Sequence, residues 1–227
     1  MIKQQQILLL SFIVCIGLLF SCNSSTKGTS DEGIIEYDVT PVDPGNVLSA
    51  MAPKSMTLKF KNDQCIAEME TGMSAVGIKF ISNGKKNIFT QLVRIFDRRY
   101  SCSANAENLN AIFKNVPKYT VKKVEEFKTI AGIKCQKAEI FEKEKNNHLF
   151  DVYFTTFFKL NKPNWWNEFS GIDGMLMEYR MKRFNLELFF TAKKFDQVHI
   201  DTTEFSTKGD YKRISQDELD SYFDELK

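Results

Sequence analysis

Five cysteines and two histidines are the residues of this 227-residue chain best suited to chemistry. The histidines, His148 and His199, stand outside any HxxH, HExxH or mixed Cys/His spacing, so a zinc site is not expected. His199 lies between Val198 and Ile200, on the polar side of an expected strand. No GxSxG elbow, P-loop or GxGxxG run is present, and Ser170 has no glycine two residues before it. Two carboxylate pairs invite a glycosidase reading. Asp217-Glu218 belongs to a helix cap, however, and Glu125-Glu126 reads as a strand edge or bulge. The chain is expected to have no catalytic residues, no metal and no cofactor.

Cys22 differs from the other thiols in what precedes it. A single early lysine, Lys3, leads into an apolar stretch from Ile7 to Phe20, and Leu19-Phe20-Ser21-Cys22 follows as small residues replace large ones. A charged start, an apolar middle and a small residue at the cut make a secretory signal. About 14 apolar-dominated residues are too few for a bilayer span, which needs ~20. The four residues resemble a bacterial lipobox, with Phe20 bulkier than usual. That resemblance implies a diacylglycerol thioether and palmitate on Cys22, cleavage before it, and membrane attachment through the lipid. The expected division is a signal peptide at 1–21, a lipid-anchored polar tether at 22–32 and one domain at 33–227. Asn23 rather than Asp follows Cys22, which favours the outer membrane with the domain facing the periplasm.

Removing the signal leaves roughly 205 residues, enough for one substantial core. Aromatic residues make up 13 % of the chain, with 20 Phe, which argues against disorder. A net charge of +2 with no basic stripe makes nucleic acid an unexpected partner. Cys65, Cys102 and Cys135 remain in the domain: either one disulfide and one thiol, or three small buried apolar residues.

The elements that must position these groups are mostly strands. Ile35, Tyr37 and Val39 alternate with Glu36 and Asp38; Met56, Leu58 and Phe60 alternate with Thr57, Lys59 and Lys61. Cys65 to Thr71 returns after Asn62-Asp63. Asn83-Gly84 predicts a further hairpin from Val76 to Asp97, both turn residues tolerating positive φ. Strands are also expected at 120–129, 132–142, 148–156, 175–182 and 186–192, with a last one around Val198 to Thr202. A short helix is expected from about Asn105 to Asn115. A C-terminal one is expected after the Ser215–Glu218 capping box, with Leu219, Tyr222, Phe223 and Leu226 as its stripe. Gly171, Asp173 and Gly174 predict a tight turn with positive φ, its Asp bonding nearby backbone. Trp165 and Trp166 either line a cavity mouth or plug one end of a core. The fold class is therefore α+β, mainly β. About ten strands form a curved antiparallel sheet, a half-barrel or open barrel, with two helices in or over its concave side.

Two segments resemble a known group. Thr129-Ile130-Ala131-Gly132-Ile133-Lys134-Cys135-Gln136-Lys137-Ala138 and the stretch from Trp165 through Phe169-Ser170-Gly171-Ile172-Asp173-Gly174 to Glu178 are similar to uncharacterised secreted and lipoprotein domains of diderm bacteria. These have a fold like the Lol-pathway carriers (LolA/LolB-like) and are related to the GLPGLI group. Met175-Leu176-Met177 stands where that group carries a proline. The resemblance implies a hydrophobic concavity and no established activity. Its expected apolar lining is Met56, Phe60, Met175, Met177, Met181 and Trp165, flexible side chains suited to an acyl chain and equally able to fill a core. Two functions follow: a non-catalytic lipoprotein taking a lipid or apolar ligand, or an accessory subunit of an envelope assembly with a packed interior and a protein partner not identifiable from sequence.

Overall fold

The computed structural model describes residues 30–71, 75–114 and 116–225. The segment expected as a signal peptide, 1–21, Cys22 and the expected tether up to residue 29 lie outside them, as does Leu226. Ser30 is buried and bridges Phe158, and its carbonyl accepts from the Lys159 N–H at 3.0 Å.

The strands are β1 (Glu32–Pro41), β2 (Pro53–Lys61), β3 (Gln64–Thr71), β4 (Val76–Asn83), β5 (Ile88–Ile95), β6 (Arg98–Asn105), β7 (Tyr119–Ile130), β8 (Ile133–Glu142), β9 (His148–Thr155), β10 (Met175–Arg183), β11 (Leu186–Asp196) and β12 (Lys212–Arg213). They form one sheet in the order β12-β6-β5-β4-β3-β2-β1-β11-β10-β9-β8-β7. Two meanders, β1–β6 and β7–β11, are joined edge to edge where β1 pairs with β11. The sheet curves but stays open, with β12 and β7 at its edges. It is mixed rather than wholly antiparallel, because β12 pairs with β6 in parallel.

β6 was not expected as a strand. Its buried residues Tyr100, Cys102 and Ala104 alternate with Ser101 and Ser103, a period of two carried mostly by small side chains. Conversely, the strand expected at Val198 to Thr202 does not form; the chain there is extended and then turns through a 3₁₀ segment, Thr202–Phe205. The mid-chain helix α1 is only Leu109–Ile112, one turn. The C-terminal helix α2 spans Gln216–Asp224, and the Ser215 hydroxyl accepts the Glu218 N–H as its cap. Glu218 turns instead toward Lys212 and Tyr222, so only half of the expected box is made.

Turn chemistry also departs from the residue types. The β4–β5 hairpin forms, but its positive φ is at Asn87, and Asn83 caps the turn by accepting the Lys86 N–H. Gly171 and Gly174 do not have positive φ. Gly174 is required by close approach: a Cβ there would lie 2.7 Å from the Thr155 carbonyl oxygen. Asp173 is exposed and faces Lys123 at 3.8 Å. The Glu125-Glu126 pair sits within a bulge on β7 between Lys123 and Phe127, a device that blunts a sheet edge.

After β11 the chain runs as a strap over the outer face to reach β12. Ile200 and Phe205 pack there on Ile66, Ile81 and Leu92. Glu32 staples the strap: it accepts the Ile200 N–H at 3.0 Å and pairs with Lys61 at 2.8 Å, while Lys61 donates to the Ile200 carbonyl at 2.8 Å. The Ile200 amide, then Lys61 and His199, lower the Glu32 carboxyl to about 2 from 4.5. A lowered folded pKa contributes stability above pH 4.5 that is lost as pH falls toward 2. We expect the protection factor of the Ile200 amide, with the intrinsic pH dependence of exchange divided out, to fall across that window in the wild type. In Glu32→Ala that step should vanish, with protection low throughout. An unchanged wild-type protection factor would contradict the staple.

Candidate functional site

Register assigns the inner face. Tyr37 faces Met56, which faces Met69, which faces Ile78; one step along, Ile35, Leu58, Ala67 and Phe80 form the next row. On the second meander, Tyr179 opposes Phe190 and Met181 opposes Leu188. Together they form the main core, which is buried because each strand turns its apolar alternate residues inward. The segment 156–174 closes one end of the concavity. Asn164, buried, donates through Nδ2 to the carbonyls of Ile172 and Gly174, each at 2.8 Å, and Phe169 and Ile172 are fully buried beneath it. Trp166 stacks on Phe89 with ring centroids 4.5 Å apart. At the other end α2 packs on Val76, Val93 and Tyr100, and Phe223 stacks on Phe184 at 3.9 Å.

Among the described residues two apolar cavities adjoin this core. The mouth cavity, of about 60 Å³, lies by Met51, Phe184, Leu188 and Phe223. The inner cavity, of about 50 Å³, lies by Tyr37, Met56, Trp166 and Tyr179. Met69, Phe80 and Met181 belong to both walls.

Of the six side chains expected as lining, Met56, Met175 and Met181 line the inner cavity, and Met181 also lines the mouth. Phe60 and Met177 are fully buried in the core outside both linings; Trp165 packs against that core, also outside them. A register shift between Leu176 and Glu178 explains Met177: the irregularity makes Leu176, not Met177, a wall residue. Trp166 meets both readings offered for the tryptophans, since it lines the inner cavity and packs one end of the core, whereas Trp165 only packs against the core.

Sequence reasoning missed one polar feature. Arg183 continues the inward row of Tyr179 and Met181 and lines the mouth cavity. Its Nη1 and Nη2 donate to Glu168 at 3.2 and 2.7 Å, and its guanidinium lies 4.9 Å from the Phe113 ring. Glu168 is 1 % exposed and Arg183 10 %. Position parity from Met181 was the available signal for Arg183; nothing local marked Glu168.

The remaining polar groups inside are quiescent. Burial pushes the Cys65 thiol up to about 12 and Cys135 to about 11, and raises Cys102. All three are buried free thiols, and raised pKa values leave them protonated and weakly nucleophilic. Burial likewise raises the Tyr37 and Tyr179 hydroxyls, and Tyr37 donates to the Leu176 carbonyl at 2.7 Å. Among the described residues no three His, Cys, Asp or Glu converge to hold a metal ion, and no helix is long and apolar enough to cross a membrane.

These features define an open, curved β-sheet domain with an apolar interior and a buried ion pair. No protein-family model matches the chain, and no curated protein matches it. Among solved structures it is similar to LprF from Mycobacterium bovis, at 12 % identity over 78 % of this chain and 90 % of that one, with a TM-score of 0.29. Neither ligand nor activity is drawn from a likeness at that level.

Proposed function

We propose that the protein is a non-catalytic lipoprotein, anchored in the outer membrane through lipidated Cys22 and facing the periplasm, that binds an acyl chain or another apolar ligand on its concave face. The observation that carries this reading is the pair of apolar cavities sharing Met69, Phe80 and Met181. Both are small, so a chain of any length enters only if the walls move. Unbranched methionines, with three rotatable side-chain bonds, are the side chains that move most cheaply. The Lol-carrier resemblance of the sequence agrees with this reading.

The test uses the full chain in its own envelope membranes, with a twelve-carbon alkyl diazirine and mass-spectrometric mapping. Saturable labelling of the β3 and β10 peptides is expected, competed by unlabelled alkane, alongside palmitate incorporation that Cys22→Ala abolishes. Labelling confined to other peptides would sink the binding reading. A second reading would then stand, that of an accessory envelope subunit with a packed interior. It is favoured by the small cavity volumes and by the exposed twelve-residue edge strand β7.

A further inference from the structure

Arg183 is the charged side chain in the mouth-cavity wall, and its Nε–H is buried with no partner. Its other donors are engaged. Nη1 reaches Glu168 and, at 2.7 Å, the Lys182 carbonyl; Nη2 reaches Glu168. A buried donor without an acceptor is costly, so an oxygen brought to it binds more favourably than it would in water. Among the described residues, the comparable orphan, Trp165 Nε1, belongs to a side chain outside both cavity linings.

The partner of Arg183 decides which oxygen fits. Glu168 already neutralises the guanidinium, so the ion pair presents no net charge. A ligand carboxylate would arrive beside a second, almost fully buried carboxylate, and like charges in a low-dielectric interior oppose each other. An uncharged acceptor meets no such repulsion. Phe113 covers part of the guanidinium, and Leu188, Phe184 and Met181 supply apolar wall on the cavity side.

We propose that the mouth cavity is a site for a neutral oxygen-bearing acyl ligand, an ester or a long-chain alcohol, whose oxygen accepts from Arg183 Nε once the wall movement that admits the ligand uncovers it, while its hydrocarbon runs past Met181, Met69 and Phe80 toward the inner cavity. This rests on the apolar-ligand reading above and adds the class of head group to it.

The full chain in its membranes, labelled with the same alkyl diazirine, tests it by competition. Methyl laurate and dodecanol are expected to displace the probe from the β10 peptide at roughly tenfold lower concentration than n-dodecane, or laurate at pH 8. In Glu168→Leu/Arg183→Met the ester and the alcohol should lose their advantage over n-dodecane, which also removes differences in membrane partitioning as the cause. Equal competition in the wild type, or laurate competing best, overturns the head-group assignment and leaves the apolar-ligand reading standing. Absence of saturable β10 labelling overturns both. Should the double variant fail to fold, the wild-type ranking decides once each competitor's concentration in the membrane has been measured.

Discussion

Glu168→Ala is expected to destabilise the domain by about 3–5 kcal/mol, because it leaves the Arg183 guanidinium buried and unpaired. At roughly 2–4 °C per kcal/mol for a domain of this size, the melting temperature should fall by about 6–20 °C. Arg183→Ala should cost a similar amount, with lost contact against Phe113 added. The informative comparison is the double variant Glu168→Leu/Arg183→Met. Replacing a buried pair with apolar groups of similar volume is often neutral or stabilising, since two desolvation penalties disappear together. Thermal melts of the singles and the double therefore form a cycle. A double variant as unstable as the sum of the singles would show that the residues act independently, through packing, and that their mutual charge is not what matters. The pair links the plugging segment to the end of β10, so its loss should also loosen the seal over the concavity.

Gly174→Ala should be strongly damaging for a single-methyl change. The added Cβ would meet Phe154 Cδ2 and the Thr155 carbonyl oxygen, each at 2.7 Å. A ring can tilt, but the Thr155 backbone belongs to the pairing of Thr155 with Met175 that starts the β9–β10 ladder. We expect a loss of about 2–3 kcal/mol, the range for forced overpacking. Gly171→Ala is the control. Its Cβ would touch only Val121, at 3.7 Å, so chemical denaturation should place it within ~0.5 kcal/mol of wild type. A Gly174→Ala melt indistinguishable from that of Gly171→Ala would show that the β9–β10 junction yields, and that close approach is not why glycine stands there.

Much of the architecture was readable before any coordinates. The alternation of Met56, Leu58 and Phe60 with polar neighbours places β2 on a half-buried sheet, and a run of such segments with short turns implies a meander. Ser215 marks the start of α2 because a helix N-terminus needs an acceptor for its free N–H groups. These signals are local: side-chain period and capping are properties of a few consecutive residues. For the same reason the shared inward face of Tyr37, Tyr179 and Met181 was legible in the sequence.

What failed depended on groups far apart in the chain. Val198 and Ile200 look like strand residues, yet the segment lies flat on the outer face, because Glu32 and Lys61 take its backbone groups and the sheet has no open edge there. Met177 left the cavity wall through a bulge that only the pairing with β9 defines. Gly174 was legible as a glycine, but its reason, a carbonyl on the neighbouring strand, was not. The sequence by itself determined most of the strands, which of their faces are apolar and where the last helix begins. The tertiary structure alone decided that β1 pairs with β11, that the sheet stays open, and that Arg183 meets Glu168 beside a cavity. Periodicity specifies the face that a residue presents, whereas the partner on that face is chosen by packing between residues that the chain itself keeps far apart.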